Sequence, residues 1–414
     1  MDQGMQKLLV PEYMQRFSCT GSQCEDTCCS GWVISVDKQT YKKYNNIKHK
    51  ELSKQFDQHI KRNRKDPIDA TYAKINLNQD GFCPFLSEEK LCGVQQKLGE
   101  IYLSNVCATY PRVSNSINGI IEKSGTISCP EMAKLVLLNP EGIEFIETQE
   151  PEITRNIIST KMKTDHPAIV SIIEHYFWEL RIFTIQVLQN RNYSVQDRFI
   201  IIGLFYKKLQ DMLDTDPSTN PSQMIAMFTN LIEAGDLRQQ LSEIPVQYAI
   251  QMELLKELAD QRFNQFINSK RYMECFAEFL HGLGYTSKAT VEEIAETYEY
   301  AFKQYYEPLM NQHEYIIENY LVNYVYKTVF PVRRTDSIFD EFVYMVLHYS
   351  LIKLHLIGMA AYHKESFNID HVVKLIQSFG RTIEHNTLYF KDIMNLITEN
   401  NYKSMAYMSI LIKN

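Results

Sequence analysis

Four of the nine cysteines in this 414-residue chain fall within eleven positions, Cys19, Cys24, Cys28 and Cys29, and four more, Cys83, Cys92, Cys107 and Cys129, follow before residue 130. The ninth, Cys275, stands alone in "RYMECFAEF", where a buried apolar thiol is its expected role. A cysteine distribution this uneven predicts two units of different character: residues 1–145 carrying the thiols and residues 146–414 nearly free of them.

The residues around the eight thiols suit a folded centre. In "CTGSQC", Gly21 permits the positive φ that turns Cys19 and Cys24 toward one point. "DGFCPFLSEEKLC" reads as a short hairpin with Cys83 and Cys92 on its two sides, Pro84 fixing the chain beside the first. Cys107 shortly precedes Tyr110 and Pro111, an expected helix end. Cys129 stands at an expected helix start, where Pro130 suits the first turn and Ser128 with Glu131 has a capping-box pattern. A helix N-terminus biases such a thiol toward thiolate, the ligating form.

What the thiols do depends on the compartment. The opening "MDQGMQKLLVPEYMQRF" lacks the basic end and unbroken apolar core of a secretory signal, so a cytoplasmic location is expected. In that reducing setting a dense cysteine set points to metal or redox chemistry over structural disulfides. The spacing C-x4-C-x3-C-C is neither the paired C-x2-C of a zinc ribbon nor the CxxxCxxC triplet of radical enzymes that use S-adenosylmethionine. Adjacent Cys28 and Cys29 would be strained as ligands of one tetrahedral ion. Eight thiols suffice for two four-ligand sites, or for one four-ligand cluster with four spectators.

Charge narrows the partners. Forty-three Lys+Arg against 50 Asp+Glu leave a net charge of −7, which argues against nucleic acid, whose affinity comes from neutralised phosphates. A local excess, seven Lys/Arg against three acids between Lys48 and Asp66, reads as a solvated face. The most apolar stretch, Phe342 to Tyr362, contains His348, Lys353 and His355, so a buried helix is expected there and not a membrane span.

From about residue 165 the pattern is helix after helix. Pro167 to Asn190 is apolar nearly all round; Ser194 with Asp197 starts another helix; Pro221 and Gly235 bracket a third; Thr290 to Tyr305 is a fourth. The fold class is therefore mainly α: an N-terminal cysteine-rich metal-binding unit with short strands, then a larger all-α domain. Glycine-rich nucleotide loops, nucleophile elbows and HExxH motifs are missing from the sequence. "HGLGYTS" at His281 to Ser287 follows a helix and reads as its C-terminal turn. In "HEYIIENYLVNYVYKTVFP", Asn319, Asn323 and Lys327 share a helix face with Tyr320 and Tyr324 close by, a pattern that fits a buried polar network or a ligand pocket. In "GRTIEHN", Arg381, Glu384 and His385 read as a surface ion pair.

Together "CTGSQCEDTCCSGW", "CPFLSEEKLC", "CATYPR" and "SCPEMAKL" resemble the zinc- or iron-chelating CxxCxxCC domain in the form found in flagellin lysine N-methylases, and "ENYLVNYVYKTVFP" with "RTIEHN" is similar to C-terminal segments of the same family. The resemblance implies methyl transfer from S-adenosylmethionine to lysines of flagellin by a protein that carries a [4Fe–4S] cluster, zinc being the alternative occupant. It makes Cys19, Cys24, Cys28, Cys29, Cys83, Cys92, Cys107 and Cys129 the candidate metal ligands. Asn319, Tyr320, Asn323 and Tyr324 are the candidate donor-binding residues, since aromatic faces can hold a sulfonium cation. The competing expectation is a non-catalytic adaptor, a metal-stapled helical protein that binds flagellin or another protein; a thiol redox sensor is a third.

Overall fold

The computed structural model describes residues 4–65, 68–165, 171–254, 269–286, 288–332, 335, 337–384 and 387–414. The chain divides into two compact units. The first comprises residues 1–116, 120–132 and 145–161; the second comprises 117–119, 133–144 and 162–414.

Two sheets build the first unit. Strand β1 (Met5–Pro11) buries Leu8, Val10 and Pro11 and leaves Leu9 less covered. Three-residue strands β2 (Ile34–Val36), β3 (Ile60–Arg62) and β4 (Ala73–Ile75) form an antiparallel sheet in the order β2-β4-β3, with Ile75 opposite both Ile34 and Ile60. Strands β5 (Arg112–Ile117), β6 (Ile120–Gly125), β7 (Phe145–Pro151) and β8 (Ile158–Met162) join β1 in a five-stranded sheet of order β7-β1-β6-β5-β8. Strand β1 runs parallel to β6 and antiparallel to β7. Between β5 and β6 stand Asn118 (φ 50°) and Gly119 (φ 83°), the two positive-φ residues a tight hairpin turn demands. Lys123 and Glu150 are paired at 2.6 Å on this sheet.

The small sheet carries its own core. Ile34, Val36, Phe56, Ile75, Phe85 and Leu103 pack together, and the Tyr44 and Phe56 rings stack at 4.1 Å. The basic stretch contributes a helix, Lys50–His59, that buries Leu52 and Phe56 while its lysines stay outside.

In its described residues the second unit is built mainly of helices and is organised on Ile338–His363, a 26-residue helix buried along almost its whole length. This helix is long and apolar enough to cross a membrane, but 94% of its most apolar window is covered by protein, which makes it a core element. Helices Val195–Thr215, Lys270–Gly282, Val291–Ala301, Ile369–Thr382 and Met405–Ile412 pack on it. At one crossing the backbones nearly touch: a Cβ on Gly282 would clash with the carbonyl oxygen of Gly358. Lys353 turns its ammonium to the Ile412 carbonyl at 2.6 Å, and burial holds its pKa well below the usual range.

Local signals set these helices where expected, with three differences. Ser194 accepts from Asp197 N at 3.1 Å, and Pro221 and Gly235 (φ 76°) bracket Pro221–Ala234. The expected helix from Pro167 begins outside the described residues; the chain beyond them forms two helices, Ile172–His175 and Phe177–Leu188, the first started by a Ser171/Glu174 capping box. The helix capped by Thr290 leaves α geometry at Phe302, where Phe302–Tyr306 forms a π turn that stacks the two rings. The third difference concerns Ser128, whose hydroxyl bonds Tyr110 and Thr126, partners that its local pattern does not show.

Candidate metal centre

All eight N-terminal thiols line a single cavity of about 400 Å³ in the first unit. Four stretches of chain bring them there. Cys19 and Cys24 flank the 3-10 turn Gly21–Gln23, opened by Gly21 at φ 57° and closed by the Cys24 N–H on the Gly21 carbonyl at 3.2 Å. Thr27 accepts from the Cys29 N–H at 3.2 Å, and the Trp32 indole donates to the Cys28 carbonyl at 2.6 Å, so the vicinal pair is held from both sides.

The expected excursion between Cys83 and Cys92 is present. Cys83 N–H donates to the Cys29 carbonyl at 2.8 Å, Gly93 N–H to the Phe85 carbonyl at 2.8 Å, and Leu86 bridges Cys92. Cys107 lies on the short helix Asn105–Thr109, whose cap Ser104 accepts from the Cys107 N–H at 3.3 Å; the helix ends before Tyr110, as its sequence predicts. Cys129 immediately precedes helix Pro130–Leu137, where hydrogen bonds from the N–H groups of Met132 and Glu131 lower its pKa.

Burial raises the pKa of several of these thiols. It pushes Cys107 and Cys129 up to about 11, more than the helix N–H groups at Cys129 pull down. Burial also raises Cys24 and Cys92. At Cys29 a hydrogen bond with Cys28 lowers the pKa, but one with Cys83, together with burial and the neighbouring thiols, carries it up to about 12. Crowded thiols repel one another as thiolates, and a cation among them reverses the balance.

The donor set fits a metal group. None of the nine cysteines is in a disulfide, and sulfur ligands select zinc, copper(I) or Fe–S clusters. Among the described residues no three His, Cys, Asp or Glu side chains converge closely enough to hold one ion. The cavity has room for roughly a dozen waters at about 30 Å³ each, far more than a single ion takes. Trp32 and Tyr110, whose rings lie 6.1 Å apart, line the cavity with the thiols and were not singled out by sequence.

The helical candidates have a different setting. Asn319, Tyr320, Asn323 and Tyr324 lie on helix Tyr315–Thr328, each at most 3% exposed. Asn319 donates to the carbonyls of Leu137 and Asn139 at 3.4 and 2.8 Å; Tyr320 donates to Glu384 at 2.9 Å; the Tyr324 ring lies 5.1 Å from that of His348. The shared face read for Asn319 and Lys327 serves two separate partners, since Lys327 pairs with Glu384 at 2.7 Å. In this conformation these four side chains belong to the core and offer almost no surface to a ligand. Glu384, expected in a surface pair with its neighbours, is instead buried under Lys327 and Tyr320, while His385 lies outside the described residues. Sequence reasoning missed Arg198, fully buried and bonded at once to Glu314, Glu318, Leu188 and Tyr193.

Comparison with known proteins adds three findings. A family profile described as the FliB lysine N-methylase C-terminal domain matches residues 181–411. The chain is 24% identical over 387 residues to a protein named lysine-N-methylase from Salmonella typhimurium, covering 91% of this chain and 92% of that one, and equally to its namesake from Salmonella choleraesuis. It is 34% identical over 138 residues to the flagellar biosynthetic protein FliU of Salmonella muenchen, covering 33% of this chain and 80% of that one. No solved structure matches.

Proposed function

The chain belongs to the FliB lysine N-methylase family, and on that basis we propose that it methylates lysines of flagellin with S-adenosylmethionine as donor and a [4Fe–4S] cluster in its cysteine-rich unit. What carries this reading is the combination of near end-to-end similarity to lysine-N-methylases with eight thiols on one cavity. Flagellin as the acceptor draws on the flagellar name of the FliU relative and on the family resemblance.

In direct transfer the donor supplies an electrophilic methyl group, and the protein must present a neutral amine in line with it. A lysine amine has a free pKa of about 10.4, so the acceptor site has to desolvate or deprotonate it. A cluster would take thiolates from the cavity wall, where Cys83 and Cys29 are fixed by main-chain bonding and Cys92 and Cys129 by helix starts. No base or donor pocket is assigned in the helical unit, because Asn319, Tyr320, Asn323 and Tyr324 are buried. That burial also favours the second reading, a non-catalytic adaptor stapled by its metal.

One experiment separates them. Anaerobically purified protein, supplied with S-adenosylmethionine and flagellin from the same organism, adds methyl mass to flagellin lysines and little to unrelated lysine-rich proteins. Flagellin binding without methyl transfer, with iron, sulfide and donor all confirmed, replaces the enzyme reading by the adaptor.

A further inference from the structure

Helices Ile338–His363 and Ile369–Thr382 are joined by a short tip whose 3-10 turn is Lys364–Ser366. The chain enters this turn through Lys364 at φ 51° and ψ −126°, a conformation that side chains other than hydrogen rarely adopt. Strained backbone of this kind persists only where surrounding contacts hold it. Two histidines supply such contacts. His363 ends the first helix, His371 lies in the first turn of the second, and their rings stack with centroids 3.9 Å apart. The ring of buried Phe367 is nearly parallel to that of His371, 5.9 Å away.

The hydrogen bonds fix the protonation of one ring. Asn368 caps the second helix, its side chain accepting the N–H groups of Asp370 and His371 at 3.0 and 3.4 Å. In return His371 Nδ1 accepts the Asn368 N–H at 3.2 Å, so a histidine stands where a capping box has Glu or Gln. A backbone N–H only donates. Nδ1 is therefore unprotonated, and His371 is neutral with its proton on Nε2.

Its surroundings oppose a second proton. His363 Nε2 meets Glu278 at 3.1 Å, and Glu278 lies on helix Lys270–Gly282, held against the first helix at the Gly282–Gly358 crossing. From its own helix Lys374 pairs with Glu274 at 3.1 Å and lies 3.8 Å from Glu278, so both acids of the neighbouring helix are already engaged. Asp370 is the remaining charge beside His371 on that helix, and the turn itself carries Lys364 and Glu365. Burial and His363, with a smaller part from Lys374, bring the His371 pKa below its ordinary 6.5 against the opposing pull of Glu278 and Asp370. A proton on Nδ1 would take away the acceptor of the Asn368 N–H and place a cation on the face of His363.

We infer that the tip of this hairpin is a pH-sensitive clasp, which neutral His371 closes by completing the capping box and protonated His371 opens. Neither the thiols nor methyl transfer enter into it. The sign follows from the direction of the shift: a histidine depressed in the closed form stabilises that form fully above about 6.5 and loses this contribution as pH falls below it.

Amide hydrogen exchange across residues 362–372 of the full chain, read by mass spectrometry and corrected for intrinsic rates at each pH, tests this, with helix Val195–Thr215 as internal reference. Wild-type protection at the tip is expected to fall by up to about tenfold between about pH 7.5 and about pH 5.5, while the reference stays level. In His371→Gln, whose amide oxygen can take the same N–H without titrating, tip protection stays level too. A wild-type tip that does not respond overturns the clasp. The same fall in His371→Gln overturns it equally, since another group would then be responsible. If that variant does not fold, nitrogen NMR of histidine-labelled wild type at about pH 7.5 decides: a neutral His371 with its proton on Nε2 upholds the clasp, and a proton on Nδ1 refutes it.

Discussion

The guanidinium of Arg198 meets the carboxylate of Glu318 at 2.7 Å, with both side chains only 2% exposed and 120 residues of sequence between them. Arg191 reaches the same carboxylate at 2.9 Å, so Glu318 is held by two cations. Removing one member of a buried pair leaves an uncompensated charge, a loss of about 3–5 kcal/mol. Glu318→Gln is expected to lower stability on that scale in urea denaturation. A change below about 0.5 kcal/mol would show that the pair contributes little to this fold.

Glu384 sets a second, pH-dependent contribution. Burial raises its pKa, but Lys327, His348 and the hydrogen bonds from Lys327 and Tyr320 outweigh that and bring it down from 4.5 to about 2. A carboxyl depressed in the folded state stabilises fully above its ordinary value, and that contribution disappears as pH falls from about 4.5 to 2. The stability gap between wild type and Glu384→Gln should be on the order of 3 kcal/mol at pH 7 and should shrink below pH 4.5. A gap that is flat from pH 7 to 3 contradicts this assignment.

The lone cysteine serves as the control for metal binding. Cys275 is fully buried in helix Lys270–Gly282, where burial pushes its pKa up to about 11. Cys275→Ser is expected to keep all bound metal while losing about 1–3 kcal/mol for the buried hydroxyl. Cys24→Ser or Cys28→Ser should lose metal. Equal metal in all three proteins removes the basis for ligation by the N-terminal thiols.

Tyr320 and Tyr324 now read first as core residues. Tyr324→Ala should cost about 3–5 kcal/mol, as large core truncations do, and Tyr320→Phe about 1–3 kcal/mol for the hydrogen bond it gives Glu384. Thermal melts measure both. If Tyr324→Ala melts like wild type but methylates poorly, the side chain acts on a ligand after all.

Legibility in the sequence follows the range of the interaction. Ser194, Thr290, Pro221 and Gly235 mark helix ends through bonds spanning two to five residues, so the helical unit could be read from them. Gly21 was readable for the same reason. The five-stranded sheet was not, because β1 pairs with residues more than a hundred positions away and parallel to one of them. The bond between the Ser128 hydroxyl and Tyr110, 18 residues back, was not readable either. Arg198, directly before the apolar run Phe199–Phe205, was a hint of a buried acid. That the thiols would meet at one cavity could be read from their density; how they divide between core and surface depends on pairings such as Cys29 with Cys83 that no spacing encodes.

Chain order gives the thiol cavity a further consequence, in biosynthesis. All its cysteines lie between residues 19 and 129, and the sheet of the same unit is complete at Met162, before any described helix of the second unit beyond it, the first of which starts at Ile172, has left the ribosome. N-terminal units fold first during synthesis. Eight reduced sulfurs are therefore made while most of the helical unit is still untranslated, and any metal that they take up, under the reading proposed above, would have to reach a nascent chain.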